Sequence, residues 1–120
     1  MNIKIGIDLD NTIIDYDKVF YKIALKEGLI TKNIKSDRIK IRNFIKKKSL
    51  VKWKILQSKI YSVYINEAEV KKGFLNFINS VYQKGFEFCI ISHKTKYPYM
   101  GEKRDLHLIS KKWINININK

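Results

Sequence analysis

Apolar residues recur along the chain with two different periods, and the switches between them divide it into elements. Residues 3–9 place Ile3, Ile5, Ile7 and Leu9 at alternate positions around Lys4, Gly6 and Asp8. That is the two-residue period of a strand, in a β-branched run. From Tyr16 the spacing becomes Tyr16, Val19, Phe20, Ile23, Ala24, the three-and-four period of an amphipathic helix, with Asp15 positioned as its N-cap and Gly28 near its stop. Two further helices are predicted, over 36–48 through Ile41, Phe44 and Ile45, and over 50–66 through Trp53, Leu56, Ile60 and Tyr64. Helical spacing resumes over 73–84 with Phe74, Phe77, Ile78, Val81 and Tyr82, Gly85 ends it, and 86–92 reads as a second, buried strand. Residues 94–104 are polar and contain Pro98 and Gly101, which predicts a loop, and 105–113 forms a last helix through Leu106, Ile109 and Trp113. Ile and Asn alternate strictly over 114–119, a pattern that fits a third strand or a low-complexity tail equally well.

Strands and helices in this order predict an α/β domain, and 120 residues leave room for one layered unit. The composition, 45% apolar and 12% aromatic, is that of a folded chain and excludes a disordered tail. The single cysteine, Cys89, lies within Phe88-Cys89-Ile90-Ile91. It reads as a buried, inert thiol, and the absence of a disulfide partner points to a reducing, cytoplasmic setting. No apolar stretch reaches the roughly 20 residues of a membrane span, and no signal peptide is recognised, so no membrane partner is expected.

Charge changes the picture in one segment. The formal net charge is +14, and between Lys32 and Lys59 eleven cations face the lone anion Asp37. Such a segment is a solvated helical face, as a chain rich in Lys, Ile and Asn produces by bias alone, or else a contact for an anionic substrate or polyanion. Trp53, Tyr61 and Tyr64 interleave with the lysines as a base-stacking platform requires, while their helical spacing equally serves a core.

The candidate chemistry lies where the first strand ends. Asp8 and Asp10 stand two apart, so an extended backbone points both carboxylates to one face, with Thr12 following Asn11. Two buried like charges are costly without a cation or many N–H donors, and acids at a strand exit suit a divalent cation. Open α/β sheets bind ligands beyond the carboxyl ends of their strands, and Ser92 occupies that position on the second strand.

Ile7-Asp8-Leu9-Asp10-Asn11-Thr12, with the apolar strand before it and Asp15 beyond, resembles the first motif of the haloacid dehalogenase superfamily, D-x-D-x-T after a strand. Phe88-Cys89-Ile90-Ile91-Ser92 is similar to its second motif, an apolar strand ending in Ser or Thr, and the helices between fall where the family inserts a cap. The stretch from Ile91 through Pro98 to Tyr99 also resembles a bacterial subgroup found with surface-polysaccharide biosynthesis. The resemblance implies a Rossmann-like three-layer α/β core formed by 1–15 and 70–120, with a basic helical cap over 16–69. It further implies a Mg²⁺-dependent phosphatase acting on a phosphorylated small molecule such as a sugar phosphate. Asp8 would be the nucleophile and Asp10 the general acid and base, both would bind Mg²⁺, and Thr12, Ser92 and Lys94 would contact the substrate or steady its loop.

The family's third motif, a Lys, and its fourth, an acidic pair after a later strand, find no clear counterpart. Lys94, Lys103, Lys111 and Lys112 are candidate stand-ins for the Lys, and His93 and His107 suit no metal spacing and read as a loop residue and a helix-surface residue. A shortened site with weak Mg²⁺ binding and low activity is therefore expected, along with self-association through an exposed strand edge. The rival reading is a non-catalytic relative whose basic insertion binds nucleic acid or another polyanion.

Overall fold

The computed structural model describes residues 3–118 and is mixed α/β, with five α-helices and a small parallel sheet. The chain forms two compact units, one of residues 3–15 with Glu69–His93, the other of Tyr16–Ala68 with residues 94–118.

In the first unit, strand β1 (Lys4–Asp8) pairs in parallel with β4 (Glu87–Ile91), from Lys4 opposite Glu87 to Asp8 opposite Ile91. A parallel pair needs a long crossover, and here it includes helix α4 (Phe74–Gln83), which buries Phe74, Ile78 and Val81. The helix ends in a Schellman turn: Phe86 N donates to Val81 O at 3.1 Å and Gly85 N to Tyr82 O at 3.0 Å, with Gly85 at φ 73°. That turn delivers the chain straight into β4, where Phe88 meets the Tyr82 ring edge-on at 5.6 Å. A second pair, β2 (Ile14–Asp15) with β3 (Glu69–Val70), is antiparallel and lies where the chain leaves this unit and returns to it.

The second unit is helical: α1 (Asp17–Lys26), α2 (Arg38–Lys48), α3 (Leu50–Tyr61), a 3₁₀ turn at Ile65–Glu67, and α5 (Leu106–Asn117). Its core is a ring cluster in which Phe20 stacks on Trp53 at 5.3 Å and Tyr16 packs on Tyr61 at 5.0 Å. Such pairs add about 0.5–1.5 kcal/mol each beyond the area they bury. Trp53 retains only 4% exposure, so the aromatic spacing on α3 serves the core and not a stacking platform.

Three boundaries differ from the periodicity. Asp15 lies in β2 opposite Glu69, and α1 starts with Tyr16 at its N-cap, without a side-chain cap bond. The helix expected over 50–66 stops at Tyr61, where the chain turns before the 3₁₀ segment. Residues 114–117 continue α5 and form no strand, while Asn119 lies outside the described residues. Trp113, 1% exposed, holds that helix down: its Nε1 donates to Ala68 O at 3.3 Å, and Asn117 Nδ2 donates to Trp113 O at 2.9 Å. Residues 94–118 group with the helices in the second compact unit.

Trp113→Ala should therefore cost about 3–5 kcal/mol by emptying a filled site. Trp113→Phe should lose much less, roughly the 1 kcal/mol of one hydrogen bond plus the smaller ring. Urea denaturation of the two variants checks this ordering, and a Trp113→Ala chain as stable as the parent would contradict the packing role of α5.

Candidate functional site

The acidic turn is built by the burial of its apolar members. Leu9, Ile13 and Ile14 are 1%, 0% and 0% exposed, and between them the polar Asp10, Asn11 and Thr12 are carried outward. The backbone closes on itself: Ile13 N and Ile14 N both donate to Leu9 O, at 2.9 and 3.1 Å, and Asn11 N donates to Ile14 O at 2.9 Å. To close so tightly, one residue must enter the left-handed region, and Asn11 does so at φ 65°. Asn tolerates that conformation better than any residue but Gly. Lys71 N donates to Ile13 O at 2.7 Å and ties the turn to the returning strand.

Within this unit the parallel ladder brings Asp8 and Ser92 to one end of the sheet, where the turn carrying Asp10 and Thr12 begins. Asp8 is opposite Ile91, Leu9 N extends the ladder by donating to Ile91 O at 3.2 Å, and Ser92 follows directly. Asp8, Thr12 and Ser92 are exposed and Asp10 is half-buried. Among the described residues no hydrogen bond or ion pair engages the Asp8 carboxylate. An unneutralised carboxylate at a strand exit can attack an electrophile or hold a cation. Oxygen donors are what Mg²⁺ prefers, and it completes its shell with water when few are offered. Among the described residues no group of three His, Cys, Asp or Glu side chains gathers as a metal-ligand set.

Lys94 belongs to the second unit. Its Nζ lies 3.1 Å from Ser110 Oγ and 3.4 Å from Tyr16 OH, with the Tyr61 ring centroid at 4.5 Å. The same segment is strapped to α5 by His107 Nε2 at 2.8 Å from Lys94 O and by Leu106 N donating to Lys96 O at 2.7 Å. Of the other candidate lysines, Lys103 lies over the Tyr97 ring at 4.6 Å, and Lys111 and Lys112 are exposed on α5. A cavity of about 300 Å³ in this unit is lined by Ser58, Lys59, Tyr64 and Arg104 among others, and holds none of the sequence-predicted site residues. Two of its cations are already paired, Lys59 with Glu27 at 2.7 Å and Arg104 with Glu102 at 2.6 Å.

The structural role of Asn11 was legible in principle, since an Asn between Asp10 and Thr12 just past a strand is a left-handed turn signal. The environment of Lys94 was not, because Tyr16 is 78 residues away in sequence.

Compared with protein families, curated proteins and solved structures, the chain finds no match.

Asn11→Gly should leave stability close to the parent, whereas Asn11→Val should cost about 1–2 kcal/mol, the strain of a β-branched residue held at positive φ. Thermal unfolding of both variants measures the difference, and equal midpoints would show that the turn relaxes.

Proposed function

We propose that the chain is a haloacid-dehalogenase-like, Mg²⁺-dependent phosphomonoester hydrolase working through an aspartyl-phosphate on Asp8. The observation that carries the reading is the placement of an Asp8 carboxylate without an ion-pair partner among the described residues, the Asp10–Thr12 turn and Ser92 at one end of a parallel β1–β4 pair. Strand ends of parallel sheets are where such folds bind ligands. The family resemblance of the two sequence motifs adds the reaction type, and the substrate class is a phosphorylated small molecule, a sugar phosphate by the subgroup resemblance.

In this chemistry an Asp8 oxygen attacks phosphorus and the bond to the leaving oxygen breaks, while Asp10 gives that oxygen its proton. Asp10 then takes a proton from water, whose oxygen attacks the same phosphorus and releases phosphate and free Asp8. Thr12 holds the turn, and Ser92 donates a hydrogen bond to a phosphoryl oxygen. Asp8 and Asp10 would hold Mg²⁺, which supplies positive charge against the phosphoryl oxygens when bound. All of these residues belong to the first unit, and Lys94 carries no step. Turnover is expected to be slow, because preorganised charge is usually the largest catalytic contribution and no third acid joins the Asp8 and Asp10 pair as a ligand group among the described residues.

A second reading, a non-catalytic relative binding nucleic acid through the basic helices, is disfavoured by the burial of Trp53, which removes one of the three rings such a stacking surface would use.

Phosphate release from p-nitrophenyl phosphate, with and without Mg²⁺, tests the proposal. The parent chain should release phosphate slowly and only with the metal, and Asp8→Asn should reduce release to background. In parallel, Mg²⁺ should shift the NMR amide resonances of residues 8–12 in the parent and not in Asp8→Asn. The same Mg²⁺ response in both chains, or phosphate release unaffected by the substitution, would overturn the assignment of Asp8.

A further inference from the structure

The charge carried by α2 is not consumed by the fold. This helix buries Ile41 and Ile45, and its opposite side turns Ile39, Lys40, Lys46 and Lys47 to solvent. Ser49 is at once the C-cap of α2 and the N-cap of α3, its Oγ accepting from Lys52 N at 3.2 Å. The two helices therefore meet at a one-residue corner. Immediately past that corner Leu50 and Val51 stand 45% and 49% exposed, and Ile39 is 50% exposed. Among the described residues, Lys40, Lys46, Lys47 and Lys52 have no acidic partner, while Lys48 folds back over Phe44 at 4.4 Å.

Cations in the last turn of α2 favour its dipole, which accounts for the position of Lys46 to Lys48. The dipole does not account for Lys40 or Lys52, nor for two consecutive aliphatic side chains displayed between the cations. Single exposed aliphatics need no explanation, but lysines surrounding an aliphatic tip have the composition of a surface that enters a charged interface.

We infer that the α2–α3 corner docks peripherally on an anionic lipid bilayer, with the lysines facing acidic headgroups and Leu50 and Val51 entering the boundary between headgroups and acyl chains. Charge complementarity selects an anionic surface, and the aliphatic tip selects lipid over a nucleic acid, whose phosphates give Leu50 and Val51 nothing to bury against. Two of the three rings that could stack on bases are engaged by other rings of the helical unit, Trp53 by Phe20 and Tyr61 by Tyr16. None of the described helices is long and apolar enough to cross a membrane, and surface docking requires none. This inference stands apart from the phosphatase proposal, since it uses no residue of the acidic turn.

Co-sedimentation of the full chain with vesicles of phosphatidylcholine alone, or mixed with phosphatidylglycerol, tests it, with a DNA duplex assayed alongside. Binding is expected only to the mixed vesicles and should weaken as salt rises. Replacing Lys46, Lys47 and Lys52 together by Gln should weaken it on the order of 100-fold, since each lysine near an anionic surface contributes about fivefold. The pair Leu50→Ser and Val51→Ser should weaken it by about tenfold or more while leaving the circular dichroism spectrum unchanged, because side-chain carbons are removed from both residues and each carbon that enters the lipid is worth about fourfold. No binding to mixed vesicles, equal binding to neutral ones, binding to the duplex alone, or vesicle binding indifferent to the Leu50 and Val51 substitutions would each overturn the proposal.

Discussion

Leu9, Ile13 and Ile14 are almost wholly withdrawn from solvent, and the acidic turn takes its form from that burial. Three large apolar side chains within six residues can all be inward only if the backbone between them doubles back. The backbone groups of the turn must then bond to one another, as Ile13 and Ile14 do to the Leu9 carbonyl. The polar residues between the anchors have no inward direction left to them. The exposure of Thr12 and the left-handed backbone at Asn11 thus follow from the same cause. Chemistry proposed for Asp8 and Asp10 inherits its positioning from groups that take no part in it.

The sheet that carries this turn is mostly half-buried or exposed along both of its strands. Parallel pairs are ordinarily covered on both faces, because crossover helices lie against them. Here α4 packs on β4 with its apolar face of Phe74, Ile78 and Val81, and on β1 Ile7 is buried, while Gly6, Asp8 and Ile91 stay exposed. A Cβ at Gly6 would stand 2.5 Å from Ile91 Cδ1, so the glycine lets the Ile91 side chain lie across β1. That overlap is a local substitute for the cover a larger sheet would provide.

The helical unit solves a different problem. Its cations are so numerous that surface pairing cannot balance them, and exposed ion pairs contribute little in any case. Stability therefore rests on the interior, where Phe20, Trp53, Tyr16 and Tyr61 form a continuous ring cluster and Trp113 closes the side near Ala68. With the rings committed inward, the lysines of α2 are left as surface charge, available to whatever anionic surface approaches.

What the sequence determined by itself was local. Alternation located β1, a continuous apolar run located β4, the three-and-four spacing located all five helices, Gly85 marked the turn into β4, and the spacing of Asp8, Asp10 and Thr12 marked the acidic turn. Each of these depends on contacts within a few residues, so each is written in the nearest neighbours. Tertiary structure decided the remainder. Asp15 is a poor cap once Glu69 offers it a strand partner, and the alternating tail is helical because Trp113 finds Ala68, 45 residues away. The same distance effect turned Trp53 inward onto Phe20 and surrounded Lys94 with Tyr16, Tyr61 and Ser110. A periodic pattern states which side chains need burial, but only the partner that arrives from elsewhere in the chain decides where that burial occurs.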